Sequence, residues 1–149
     1  MDCGKHKLVA DVSILAHNQV LLVRYVDVSA YDGQRGWFLP DDHLQYQEHP
    51  DAAAARIAEE QAGVDARPTL QGMESFGDGA WHLIFHYVVR LDEAPTVRSG
   101  SNVAEVRWFS LDALPPRDEV AHDGWALDVL ETIVGGKRLE MEPDAPGSG

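Results

Sequence analysis

Cysteine is almost absent from this chain of 149 residues, which contains only Cys3. A single cysteine excludes an intrachain disulfide, so the fold must rest on a packed core rather than on covalent cross-links. The hydrophobic content of 44% is sufficient for one such core, and the length is that of one domain. We therefore expect a single domain in a reducing compartment, with a cytoplasmic location.

Basic residues are also scarce, since 12 Lys and Arg stand against 25 Asp and Glu, for a net charge of −13. Proteins that bind nucleic acids or anionic membranes present clustered Lys and Arg to phosphate groups, so neither partner is expected. An acidic surface is compatible with divalent cations or with solubility alone. No apolar run reaches the roughly 18 residues of a transmembrane helix, and MDCGKHK lacks the apolar segment of a signal peptide.

Strand and turn signals predict a chain of mixed secondary structure. The β-rich segments are 8–15, 20–26, 37–39, 69–76, 81–91 and 105–110. Apolar residues at helical spacing predict a C-terminal helix over 123–135. We expect an α/β sandwich that forms one domain over 8–137, between a loose N-terminus (1–7) and a disordered tail (138–149).

A further helix is predicted over about residues 50–62. Pro50 suits the first helical position, where its missing N–H is not needed, and residues 52–55 are alanines, which favour helix. Gly63 suits the C-terminal cap.

One face of this helix is where carboxylates would be expected to cluster. Positions 57, 60 and 61 have the spacing i, i+3, i+4 and therefore share a face. Three carboxylates at this spacing could hold Mg²⁺, which prefers oxygen ligands and uses substrate phosphates as well. The residues present are Ile57, Glu60 and Gln61.

The segment from Asp42 to Val64 resembles the Nudix box, whose pattern is G-x5-E-x7-R-E-U-x-E-E-x-G-U, with U an apolar residue. Glu48, Arg56 and Gly63 match the pattern at positions that hold the loop and helix together in the family. VLLVRY, GWFLP and EVRWFSLDALP resemble flanking segments of the family, so the resemblance covers roughly residues 8–135. It implies a Nudix-like α/β/α sandwich around a mixed sheet.

Three positions depart from the family pattern. Asp42 stands at the first glycine, Ile57 at a glutamate that binds metal, and Gln61 at the second glutamate of the final pair. The residues that hold the loop against the helix in the family are retained, whereas two of the residues that bind metal in the family are exchanged. Glu60 and Gln61 remain as candidate metal ligands, but Glu60 is equally suited to a solvated ion pair with Arg56, which lies at i−4.

The resemblance implies hydrolysis of a nucleoside-diphosphate-linked substrate with Mg²⁺ or Mn²⁺, weakly bound if at all. Glu60 and Glu105 are the candidate catalytic residues; Glu105 matches a late acid of some relatives, although an ordinary acid at a strand edge is the more common use of such a residue. Many relatives dimerise, so a homodimer stays open.

The candidate substrate-binding residues are Arg24, Trp37, Asp41, Asp42 and Tyr46. Arg24 follows the leucines of the second strand, where relatives carry a basic residue that meets substrate. The two aspartates either replace lost metal ligands or block the phosphate position. The aromatic rings either stack on a nucleobase or pack in the core.

Two functions therefore compete. The first is an atypical, metal-assisted Nudix hydrolase. The alternative is a catalytically silent module that binds a nucleotide or a similar ligand.

Overall fold

The computed structural model describes residues 6–77 and 79–135. The elements in chain order are β1 (His6–Ala16), β2 (Gln19–Tyr25), β3 (Asp41–His43), α1 (Pro50–Ala62), β4 (Thr69–Gly77), β5 (Trp81–Leu91), β6 (Val103–Ser110) and α2 (Ala121–Leu130). Short 3-10 turns lie at Ser29–Tyr31 and Arg117–Glu119, and a π-helical turn at Glu131–Gly135 extends α2. The predicted tail lies outside the described residues.

The strands form one mixed sheet in the order β4-β5-β1-β2-β6, with β3 also paired to β1. β1 and β5 run parallel over their whole length, from His6 opposite Trp81 to Ala16 opposite Leu91, and the other pairs are antiparallel. The α/β fold with a mixed sheet is thus confirmed.

Side chains along a strand alternate between the two faces of the sheet, so each face has apolar side chains to bury. One helix covers each face. Ala10, Val12 and Ile14 of β1 belong to the buried cluster that includes the apolar side of α1. Leu15 lies in a second buried cluster that includes α2. Among the described residues, no helix is long and apolar enough to cross a membrane.

The first helix has the predicted bounds. Pro50 is its first residue, and the His49 ring accepts a hydrogen bond from the backbone N–H of Asp51. Gly63 ends it with a φ of 72°, a left-handed conformation that glycine adopts without steric cost.

Several boundaries differ from the predictions. β1 begins at His6, inside the segment expected to be loose, because its parallel pairing with β5 continues to that residue. Residues 37–39 do not form a strand; Trp37 and Phe38 make only isolated bridges. β3 was not predicted, because it has three polar residues and exists through its pairing with β1.

Candidate binding site

The box segment is organised around the guanidinium group of Arg56. Its Nε and Nη2 donate to the two carboxylate oxygens of Glu48 at 2.8 and 3.0 Å, and Nη2 also donates to the carbonyl of His43 at 3.1 Å. Nη1 lies 3.2 Å from both Asp42 Oδ2 and Glu60 Oε1. The hydrogen bonds from Arg56 hold the pKa of Glu48 below its usual value. The loop before α1 is therefore fastened to the helix by charge-assisted bonds.

The two exchanged helix positions face inward. Ile57 is fully buried in the cluster between α1 and the sheet. Gln61 is 5% exposed and uses both ends of its amide: Oε1 accepts from the Tyr25 hydroxyl at 2.7 Å, and Nε2 donates to the Asp41 carbonyl at 2.8 Å. The Asp41 N–H donates to the Tyr25 oxygen at 3.1 Å and closes the ring of hydrogen bonds.

This donor set does not fit the Mg²⁺ or Mn²⁺ that the box resemblance implies. Of the three helix positions, only Glu60 carries a carboxylate, and that group is paired with Arg56. Ile57 has no donor atom, and the Gln61 carbonyl oxygen is already engaged by Tyr25. Within residues 6–77 and 79–135, no three His, Cys, Asp or Glu side chains are grouped as metal ligands.

A second group of predicted site residues lies apart from the box, on β2 and β6. Arg24 and Glu105 are opposite each other in the strand pairing, with Nη1 and Oε1 3.8 Å apart. Arg107 binds the other oxygen of Glu105 at 2.8 Å. Arg24 also lies over the ring of Trp37, which is only 4% exposed and packs in the core beneath α2. Glu105 is thus shared by two arginines.

Tyr46 stands alone, since its side chain is 92% exposed in the loop before α1. The structure consequently brings Asp41, Asp42, Glu60 and Gln61 together, and it separates them from the Arg24 group and from Tyr46.

A cleft of about 500 Å³ opens between the sheet and the start of α2. Rings line it from several elements: Tyr31 from the 3-10 turn, Phe76 and His82 from β4 and β5, and His122 and Trp125 from α2. Phe76 and His82 stack on each other with ring centroids 4.7 Å apart. The cleft therefore presents flat aromatic surfaces of the kind that bind planar ligands.

The backbone of α2 is unusual beside this cleft. His122, Asp123 and Gly124 have φ values of 55°, 55° and 87°, so the regular helix starts only at Trp125. The His122 ring lies 3.5 Å from Asp32, and burial lowers its pKa. This irregular start carries the two α2 rings that line the cleft.

A chain of charged side chains, from the fully buried Asp11 to the exposed Glu74, crosses the sheet next to the cleft. Asp11 is fully buried, its Oδ2 lies 2.6 Å from His86 Nδ1, and His86 Nε2 lies 2.9 Å from Glu74 Oε1. Burial raises the pKa of Asp11 to about 6 even though the His86 hydrogen bond opposes the shift. Burial alone would lower the pKa of His86, but the hydrogen bonds and charges of Asp11 and Glu74 outweigh it and raise that pKa. The arrangement favours an imidazolium held between two carboxylates.

Sequence reasoning did not find the cleft or this chain of charges. Tyr31, Phe76 and Trp125 come from separate segments, and no local pattern joins them. The sequence does contain a signal for Asp11, because this acid interrupts the apolar segment LVADVSIL. An acid that is buried in the middle of a strand needs a partner that binds it. That signal does not by itself identify His86 as the partner.

Comparison with known proteins gives a consistent assignment. The NUDIX domain family model matches residues 5–129. A comparison with curated proteins returned no match.

Solved structures resemble the fold closely. The MutT NUDIX hydrolase from Burkholderia pseudomallei has a TM-score of 0.70 at 21% identity, over 87% of this chain and 98% of that chain. The binary complex of the C. elegans Ap4A hydrolase has a TM-score of 0.63 at 16% identity, over 87% and 98%. A bifunctional NMN adenylyltransferase/ADP ribose pyrophosphatase from Francisella tularensis, complexed with AMP and a Mn ion, gives 0.64 at 15% identity, over 90% and 43%.

Proposed function

The chain belongs to the Nudix family, and we propose that within this family it is a module that binds a nucleotide-derived small molecule in the cleft between the sheet and α2. Hydrolysis at a metal centre on α1 is not part of this proposal. The binding module is the second of the two functions that the sequence predicts.

The proposal rests on the hydrogen bonds that the buried side-chain amide of Gln61 makes. Its amide links Tyr25 to the backbone of Asp41, so the position contributes to the packing of loop and helix. Because Ile57 is an apolar core residue, two of the three positions that hold metal in the family pattern are structural in this chain. The cleft, by contrast, is formed and aromatic.

Nucleotide-like ligands are the class that the comparisons support. One similar structure is of an Ap4A hydrolase, and another contains AMP. A planar base suits the rings of the cleft, whose volume of about 500 Å³ lies within the range of small-molecule sites, roughly 300–1,000 Å³.

The test is calorimetric binding of AMP, ADP, ADP-ribose and diadenosine tetraphosphate in the presence of a chelator. We expect at least one to bind, and we expect binding to weaken in Phe76→Ala. Leu70→Ala is the matched control, because both residues lie on β4 and are 44% and 46% exposed, but only Phe76 lines the cleft. Absence of binding across the panel, or equal loss in both variants, would contradict the proposal.

A second candidate function is supported by one specific contact. Asp42 and Glu60 both lie 3.2 Å from the same nitrogen of Arg56, so two carboxylates meet at the edge of the box. Mg²⁺ often uses only one or two carboxylates together with substrate phosphates. An atypical hydrolase would have to draw these two carboxylates away from Arg56 to hold Mg²⁺ or Mn²⁺, because the side chains as they stand do not fit such an ion.

Turnover assays separate the two functions. The same compounds would be incubated with Mg²⁺, with Mn²⁺ and with chelator, and product release compared among wild type, Glu60→Gln and Asp42→Asn. We expect no metal-dependent release above background. Release that requires metal and is lost in both variants would establish the hydrolase instead.

A further inference from the structure

The cleft contains one acid whose carboxyl group is not committed to a protein donor. Asp41 lines the cleft, and among the described residues only the Tyr25 hydroxyl approaches its side chain, at 3.2 Å from Oδ1. That hydroxyl has a single proton, which is directed to Gln61 Oε1 at the shorter distance of 2.7 Å. Within the described part of the chain, both carboxyl oxygens of Asp41 are therefore available to a ligand.

The surroundings of Asp41 are acidic. Asp11 is its direct partner in the β1–β3 pairing and is fully buried, with no hydrogen-bond partner for Oδ1 among the described residues. Of the four aspartates that line the cleft, Asp32 is paired with Lys7, Asp42 with Arg56 and Asp128 with Arg117, so among the described residues Asp41 is the one without a cationic partner. The part of the cleft beside Asp41 and Asp11 therefore disfavours a phosphate group and attracts groups that donate hydrogen bonds.

The aromatic walls limit the shape of the group that enters. Tyr31, Phe76 and Trp125 line the same cavity as Asp41. A planar heterocycle can stack on such surfaces, whereas a flexible phosphate chain gains nothing from them. The ligand that suits both features is a ring whose edge donates hydrogen bonds.

We propose that the cleft binds an amino-substituted heteroaromatic ring, such as adenine or cytosine, with the carboxyl group of Asp41 accepting a hydrogen bond from the exocyclic amino group. This inference rests on the proposed function and adds the part of the ligand that is recognised. The phosphates of a nucleotide then remain outside the acidic part of the cleft. Bases that carry a carbonyl oxygen in place of the amino group, such as hypoxanthine and uracil, are disfavoured.

The test uses nucleosides, which have neither phosphate nor a need for metal. Calorimetry on the wild-type chain would compare adenosine with inosine and cytidine with uridine. We expect the amino-bearing member of each pair to bind about tenfold more tightly or better, since an unmatched polar group in a site is costly. Asp41→Asn should abolish or reverse the preference, because its amide can donate to a carbonyl oxygen. Asp92→Asn, an exposed aspartate outside the cleft, should keep it.

Each result has a distinct meaning. Equal binding within both wild-type pairs, a preference that survives Asp41→Asn, or binding of nucleotides without nucleosides would overturn this inference and leave the proposed function standing. If neither nucleosides nor nucleotides bind, the proposed function fails, and the inference fails with it. The wild-type comparison decides the question even if Asp41→Asn does not fold.

Discussion

Gln61 shows how a single exchanged residue acquires a structural role. It joins β2 to the segment that begins β3, because Tyr25 donates to its oxygen and its nitrogen donates to Asp41. A neutral hydrogen bond of this kind contributes about 1 kcal/mol net, but leaving a buried group unpaired costs about 1–3 kcal/mol. The same network would be disturbed by the glutamate that the family pattern has at this position.

We expect Gln61→Glu to lower the free energy of unfolding by about 1–3 kcal/mol. The carboxylate cannot donate to the Asp41 carbonyl, and it places a negative charge beside Asp41. Urea denaturation with circular dichroism measures the change. Glu60→Gln is the control, because its carboxylate is exposed and its pair with Arg56 is worth only about 0.3–0.5 kcal/mol. Equal losses in the two variants would show that Gln61 is not a structural residue.

At this scale the sequence showed that Ile57 and Gln61 depart from the box, but not what they do instead. Tyr25 lies 36 positions from Gln61, and no spacing rule joins them. The same holds for Asp11 and His86, which are 75 positions apart and meet only because β1 and β5 pair in parallel. Contacts between residues so far apart in the sequence are determined by the pairing of the strands and not by a local sequence pattern.

At the scale of elements, the C-terminal end of α1 is closed by a distant loop. The backbone N–H groups of Arg98, Gly100 and Ser101 donate to the carbonyls of Ala62, Gln61 and Glu60, at 3.1, 3.0 and 3.3 Å. These carbonyls belong to the last turn of the helix, where carbonyl groups have no hydrogen-bond donors within the helix itself. The approach is so close that a Cβ on Gly100 would overlap the Glu60 carbonyl oxygen.

We therefore expect Gly100→Ala to destabilise the protein by about 1–3 kcal/mol or more, because the loop must move away from the helix end. Thermal or urea unfolding gives the magnitude. Gly72→Ala on β4 is the matched control, since a Cβ added there would meet nothing within 4 Å and the φ of Gly72 is not positive. If both variants had the same stability, the loop would not be tightly packed against α1.

The elements differ in how far local signals predict them. α1 has its expected bounds because Pro50 and Gly63 act at its ends through backbone chemistry. β3 could not be predicted from its own residues, since Asp41, Asp42 and His43 have no preference for strand. The irregular start of α2 is likewise invisible in a sequence whose apolar spacing is helical.

For the whole molecule, the chain Asp11–His86–Glu74 couples stability to pH. His86 has a folded pKa above 6.5, so its contribution is fully present below that value and is lost as the pH rises through the folded pKa. Asp11 acts in the same direction, since its pKa rises from 3.8 to about 6 on folding and the folded state holds the proton more tightly. Asp41 also acts in this direction, because burial raises its pKa, whereas His122 acts oppositely as the pH falls below 6.5 and Glu48 as the pH falls below 4.5.

We expect the free energy of unfolding to fall as the pH rises from 4.5 through about 6, where Asp11 ionises, and to fall further above 6.5 as His86 loses its proton, with a slope of at most ~1.4 kcal/mol per pH unit for each proton involved. Urea titrations across this range measure the slope. His86→Gln should flatten the part of the slope above pH 6.5, and His6→Gln, at the exposed start of β1, is the matched histidine substitution. A wild-type slope that survives His86→Gln would show that other groups cause it.

The parallel pairing of β1 with β5 also sets the order in which the chain can fold. His6 and Trp81 are partners, although 75 residues separate them (81 − 6). At a synthesis rate of about 5–20 residues per second, β1 waits roughly 4–15 s for β5 to be made. During that interval, the backbone N–H and C=O groups of β1 that later pair with β5 have no partner from their own domain, which leaves the nascent chain open to pairing with another chain.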